Sequence, residues 1–397
     1  QAIICLSHCF ACPLLRTPST MLRTPVAVAM ALAFSRLGAA EDSAVANLYN
    51  PNMARAFASL STLSYCANEF PRGVPSGLGR AVERNCGNDT GSWCSRAGFA
   101  VRPGAVTFLN EPDLYATDEV FAIVAGWDRL PWANHLSVPE ERGCLVTFRG
   151  SIGDVETGPN WIRNGQSTPV PATEWPECKN CGVHEGYYTM WNNVEAKLLK
   201  KLKKVGCTAE AHSAIYVSGH SLGGGMAYLG MYGLKRLGFD VQISYTFASP
   251  SVGNSYFTNA FVSIFNRDVP LFRIAHADDR TTKDPADLIH TPFEVYYPGN
   301  DESTYTVCDK PAVANCGINR YKGDTLAPAG DTPPMSSPHC QNPLAPYKNF
   351  CQFMGLPAIN LFYLGPVGMM DFNAVCVNGD LMSTKPLTKS QPTNLLV

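Results

Sequence analysis

Residues 144–148 (CLVTF) form a near-continuous apolar run closed by Arg149-Gly150-Ser151, and residues 214–217 (AIYV) form a second. Runs this short, without regular polar alternation and bounded by turn residues, predict strands buried on both faces. Between them the period becomes helical. Trp191, Val194, Leu198 and Leu202 recur at spacings of three and four, which predicts a helix over 187–204 that Gly206 stops. Lys200, Lys201, Lys203 and Lys204 crowd the end of that helix, where cations complement its dipole and stay solvated, so they are not read as a binding patch. A second helix is predicted over 226–237. Strand, helix, strand, helix joined by turns implies a mostly parallel sheet covered on both faces.

The rest of the chain shows no long linker and no internal repeat, so residues 41–397 read as a single domain. Residues 324–346, rich in Pro, Ser and Ala, read as a long surface loop, pinned if Cys340 pairs with Cys351; the polar end from Ser383 reads as frayed. Met21, Arg23, an apolar stretch from Val26 to Phe34 and the small residues Gly38, Ala39 and Ala40 have the layout of a secretory signal peptide over 21–40. Residues 1–20 read as sequence upstream of that start. No segment approaches the roughly 20 apolar residues that a spanning helix needs.

Composition narrows the function. The 397 residues are 45% hydrophobic and 16% charged, enough apolar material for a full core. A formal net charge of −2 leaves no excess of cations for a nucleic acid backbone or an anionic membrane. Of 15 cysteines, Cys5, Cys9 and Cys12 lie upstream, and the even remainder in an exported chain predicts up to six disulfides. Asn88 with Thr90 forms a glycosylation acceptor.

At the end of the second predicted strand stands Gly219-His220-Ser221-Leu222-Gly223. A G-x-S-x-G turn between strand and helix raises a serine hydroxyl clear of the sheet on a strained bend, and side chains at either glycine would strike the neighbouring strand or helix. The alternative is a tight turn whose glycines serve packing only, which Gly224 and Gly225 would also suit. His220 reads as structural, because its backbone direction points it away from the hydroxyl.

With Gly224, this segment resembles the elbow of the class 3, or fungal-type, triacylglycerol lipases, and further motifs follow in the family's order. Leu63-Ser64-Tyr65-Cys66 resembles the N-terminal motif; Thr147-Phe148-Arg149-Gly150-Ser151 with Asn160-Trp161-Ile162 resembles the oxyanion and lid segment. Val183-His184-Glu185-Gly186-Tyr187 and the nine residues from Thr246 to Asn254 resemble the strand junctions before and after the elbow. The likeness runs from about residue 45 to 376 and implies an α/β-hydrolase fold in which Ser221 is the nucleophile. Ser151 and the Leu222 amide would form the oxyanion hole, with Trp161 on a lid.

Acyl transfer also needs a base and an acid that orients it. Arg273-Ile274-Ala275-His276-Ala277-Asp278-Asp279 resembles the family's acid segment, which assigns Asp279, with Asp278 as the near alternative; an exposed acidic turn is the bland reading. The family's histidine motif aligns with Asn360-Leu361-Phe362-Tyr363-Leu364-Gly365, so asparagine stands at the base position. An amide cannot take and return a proton near neutral pH. Three readings stay open: His339 supplies the imidazole, the protein has lost turnover, or the recorded residue is an error. His276 and His290 read as structural.

The resemblance further implies the disulfides Cys66–Cys376 and Cys308–Cys316, and proximity adds Cys86–Cys94 and Cys178–Cys181. Cys144 and Cys207 each precede a predicted strand, which makes them a further candidate pair. Zinc on Cys178, Cys181 and His184 is disfavoured because no second ligand pair follows. The expectation is a secreted serine ester hydrolase acting on acylglycerols or related lipid esters, without metal or cofactor. The alternatives are a feruloyl-type esterase or phospholipase of this fold, and a non-catalytic lipid-binding homologue.

Overall fold

The computed structural model describes residues 45–66, 76–89, 91–109, 120–131, 142–152, 159–265, 269–277, 279–291, 293–299, 301 and 303–308. His339, Asn360, Cys316, Cys340, Cys351, Cys376, Asp278 and residues 1–40 lie outside them.

Helix α1 (Pro51–Ser64) opens the described chain: Asn50 caps it through Oδ1 with the amides of Asn52 at 2.9 Å and Met53 at 3.2 Å, and Pro51 sits in the first turn. Helices α2 (Ser76–Cys86) and α3 (Trp93–Arg96) follow. The main sheet is built from β1 (Phe99–Leu109), β2 (Ala122–Arg129), β3 (Arg142–Phe148), β6 (Ala214–His220), β8 (Ser244–Phe247), β9 (Leu271–His276), β10 (Glu294–Tyr297) and β11 (Thr306–Cys308), in that spatial order, with β7 (Asp240–Val241) beside β6. β4 (Pro169–Pro171) and β5 (Gly182–His184) form a separate ribbon. Four more elements complete the described fold: α4 (Pro159–Gly165), α5 (Glu185–Lys204), α6 (Leu222–Arg236) and α7 (Ser255–Phe265).

The two expected strands are β3 and β6, paired in parallel with Phe148 opposite Gly219. Their side chains alternate between two cores, which explains the unbroken apolar runs. Leu145 and Tyr216 face α1, alongside Phe57 and Tyr245. Val146, Phe148, Ile215 and Val217 face the other way, toward Trp191, Val194 and Leu198 of α5 and Met226 of α6. With both faces buried, neither strand has a solvent side on which polar residues would be favourable.

The sheet is parallel from β3 to β10 and antiparallel at its two lateral edges, where β1, β2 and β3 form a meander and β11 folds back on β10. β1 hid from pattern reading because its register shifts between Val101 and Val106, where Pro103 and Gly104 (φ 73°) interrupt it. The elbow helix also begins earlier than the expected 226, at Leu222. Three successive glycines lower local helix propensity, and burial of the whole segment overrides that preference.

Three disulfides join described cysteines: Cys86–Cys94, Cys144–Cys207 and Cys178–Cys181. The last fixes Cys178 and Cys181 as a covalent pair rather than metal ligands. Cys66 and Cys308 are also disulfide-bonded; the pairings with Cys376 and Cys316 fall outside the described residues.

Candidate active site

Ser221 stands between the last residue of β6 and the first of α6 with φ 56° and ψ −128°. A non-glycine residue there carries strain of about 1–3 kcal/mol, tolerated only where the surroundings fix it. They do so from three sides. The Ser221 amide donates to the Phe247 carbonyl of β8 at 2.9 Å, and the Ser221 carbonyl accepts from the Gly224 amide at 2.8 Å. A methyl at Gly219 would strike the Gly223 carbonyl of α6, and one at Gly223 would strike the carbonyls of Phe148 and Arg149 on the neighbouring strand. Both elbow glycines are therefore required by close approach. Gly224 and Gly225 are tight as well, against Ser249 and Tyr187, so packing alone would also have favoured glycine there.

Leu222 is the first residue of α6. First-turn amides have no partner within their helix and lie at the positive end of its dipole, the polarity a developing oxyanion needs. Ser151 follows β3 on the same margin of the sheet: a methyl added to its neighbour Gly150 would come within 3.1 Å of Ser221 Cβ. Ser151 is fully buried, and Oγ accepts from Asn164 Nδ2 at 2.8 Å. Asn164 Oδ1 accepts in turn from the Tyr187 hydroxyl at 3.2 Å. Asn160 Oδ1 accepts from the Ile152 amide at 3.2 Å, so α4 is tied to the Ser151 segment at both ends. Trp161 is half-buried on that helix, and Ile162 beside it is exposed.

His220 is fully buried with Nδ1 2.8 Å from the Tyr65 hydroxyl. Burial pushes the Tyr65 phenol well above its ordinary range, so it stays neutral, and its hydroxyl also meets the Gly150 backbone. This contact ties α1 to both the elbow and the Ser151 loop.

Asp279 lies three residues beyond β9, on the same sheet margin as Ser221 with β8 between them. It is 1% exposed, which removes the reading as an exposed acidic turn. It caps a 3₁₀ helix (Arg280–Lys283), its Oδ1 accepting from the Thr281 amide at 3.0 Å and its carbonyl accepting from Thr282 Oγ1 at 2.9 Å. Three post-strand residues on this margin, Ser221, Ala248 (φ 49°) and Ala277 (φ 45°), are left-handed. Each amide reaches the adjacent strand: Ser221 to Phe247, Ala248 to Ile274, Ala277 to Tyr297. Neither alanine was visible as special in the sequence, since only glycine, Asn and Asp advertise such a backbone.

His184 caps α5, accepting the Tyr187 amide at Nδ1 (3.4 Å), stacked on the Tyr187 ring with centroids 3.8 Å apart. The ring also meets the backbone of Asn164, and burial, the largest cause, pushes the imidazole down to about 4 from 6.5. An unfolded chain binds a proton at His184 below about pH 6.5, whereas the folded chain resists until about pH 4. The stability gained by keeping it neutral is therefore present above pH 6.5 and lost as pH falls toward 4, by up to about 3 kcal/mol. Urea unfolding at pH 7.5 and 4.5 should show this decline, and His184→Gln should flatten the part due to this residue.

Residues 145–288 match the family model described as lipase (class 3). That segment belongs to the class 3 lipase family. It spans Ser151, Trp161, Ser221, Leu222 and Asp279, the candidate residues singled out above. Secreted mono- and diacylglycerol lipase 1 of Fusarium solani is 32% identical over 195 residues, covering 46% of this chain and 54% of that protein. Phospholipase A1-Ialpha2, chloroplastic, of Arabidopsis thaliana is 27% identical over 176 residues, covering 39% of this chain and 35% of that one. Among solved structures, the mono- and diacylglycerol lipase of Aspergillus oryzae aligns with a TM-score of 0.45 at 22% identity, over 68% of this chain and 89% of that one. The chain spans about half the length of the curated fungal relatives it matches.

Proposed function

We propose that this chain is a secreted serine ester hydrolase of lipase type that cleaves acylglycerols or related lipid esters through an acyl-enzyme on Ser221. The observation that carries the reading is the left-handed Ser221 between β6 and α6, with Ser151 and Asp279 on the same margin of the sheet. Ser221 Oγ attacks the ester carbonyl while a base takes its proton. The oxyanion is held by the Leu222 amide and Ser151. Collapse expels the alcohol, which leaves with that proton, and water then releases the acid by the same route. Asp279 orients the base, and His339 is assigned as that base because it keeps the order serine, acid, histidine.

Ser221 is 7% exposed, in keeping with a cover over the site that moves to admit a lipid ester. Trp161 on α4 is assigned to that cover. The names of the relatives, secreted mono- and diacylglycerol lipases and a phospholipase A1, favour glycerolipid esters and export. Export is supported also by the signal-peptide layout at 21–40 and by the disulfides. No helix among the described residues is long and apolar enough to cross a membrane.

Asn360 at the family's histidine position favours a second reading, a lipid-binding homologue without turnover. A fluorophosphonate probe on residues 41–397 separates the two. Stoichiometric labelling mapped to Ser221, together with hydrolysis of a short-chain glyceride, is expected. A protein that binds glyceride with neither outcome is the second reading.

A further inference from the structure

We infer that His290 is a positioning residue, an imidazole strut that couples the helix bearing the nucleophile to the turn bearing the acid. The inference rests on the reading of Ser221 and Asp279 given above and adds a residue that reading does not use. Tyr228 lies on α6, seven residues and two turns beyond Ser221, and is buried. Its hydroxyl is 2.9 Å from Thr291 Oγ1 and 3.4 Å from His290 Nδ1. His290 Nε2 lies 2.7 Å from the carbonyl of Thr282, inside the 3₁₀ helix that Asp279 caps. Thr282 closes the connection, donating its hydroxyl to the Asp279 carbonyl at 2.9 Å.

The chemistry of these partners fixes one end of the ring. A carbonyl only accepts, so Nε2 carries the proton, and in the neutral imidazole Nδ1 is left as an acceptor facing the Tyr228 hydroxyl. The ring spans the two elements with one nitrogen on each. Its far end is anchored: Arg273 Nε donates to the Thr291 carbonyl at 2.9 Å, and Arg273 pairs with Glu294 at 3.3 Å, both side chains under 10% exposed. Asp279 also accepts from the Thr281 amide at 3.0 Å and donates its own amide to the His276 carbonyl at 3.1 Å. Catalytic groups lose rate steeply when misplaced by about 1 Å, so the strut acts on the chemistry without touching substrate.

The test compares wild type, His290→Ala and His290→Gln, the last retaining an amide N–H that can reach the Thr282 carbonyl. Hydrogen exchange read by mass spectrometry should show residues 280–284 exchanging about ten times faster or more in His290→Ala, with residues 219–225 unchanged, and near wild-type protection in His290→Gln. Glyceride hydrolysis by His290→Ala should fall about 10- to 100-fold in kcat with KM within about twofold, and His290→Gln should recover most of it. Unchanged exchange at 280–284 in a folded His290→Ala overturns the strut, as does a kcat loss that His290→Gln fails to restore. Absence of Ser221 labelling in the wild type would instead remove the proposed function, while the exchange comparison would still decide whether the strut exists.

Discussion

Ser221→Ala should abolish fluorophosphonate labelling and lower glyceride hydrolysis by about four to six orders of magnitude, with no loss of folded protein. The size follows from what the hydroxyl does: without it no acyl-enzyme forms, and only the residual effect of binding and oxyanion donors remains. Stability should hold or rise slightly. The side chain makes no capping hydrogen bond to α6, and the strain at φ 56° belongs to the backbone, which alanine inherits. Steady-state hydrolysis measured beside a thermal melt checks both halves. A variant that keeps activity would move the nucleophile elsewhere, and one that unfolds would mean the serine is structural.

The second large effect concerns the base. With His339 as the imidazole, His339→Ala should cost about four orders of magnitude or more, and Asn360→His should leave turnover within a few-fold of wild type. The reverse pattern, an inert His339→Ala and an Asn360→His that gains about four orders of magnitude, would mark Asn360 as the occupant of the base position and the natural protein as impaired. One pair of variants therefore separates two arrangements of the same triad. An amide can hold a hydrogen bond to Asp279 as an imidazole does, but it cannot relay the serine proton, so structure would be kept while rate is lost.

How much of this was legible in the residues depended on the range of the signal. The elbow was readable because its glycines, serine and flanking strand lie within a dozen positions and each has a steric reason. The Cys86–Cys94 and Cys178–Cys181 bridges were readable because short separations leave few choices; Cys144 and Cys207 were suggested by their places before strands that turned out adjacent. The meander β1 to β3 was not readable, since Arg102-Pro103-Gly104 breaks the alternation of β1 at its bulge. Nor was the partner of Ser151, because Asn164 reaches it from one helix and is itself held by Tyr187 from another. His290 looked merely structural in the sequence, and only the structure shows which two elements its ring nitrogens join.

The left-handed residues that end β6, β8 and β9 each hook an amide onto the next strand, so the nucleophile turn, the Ala248 turn and the turn leading to Asp279 are stitched into one rung-by-rung hem. The carbonyls that hold the Ala248 and Ser221 amides belong to Ile274 of β9 and Phe247 of β8, so each turn hangs on a neighbouring strand rather than on the turn bearing Asp279. On warming, probe labelling and near-ultraviolet circular dichroism should therefore vanish together, in one transition, with the strands that supply these carbonyls.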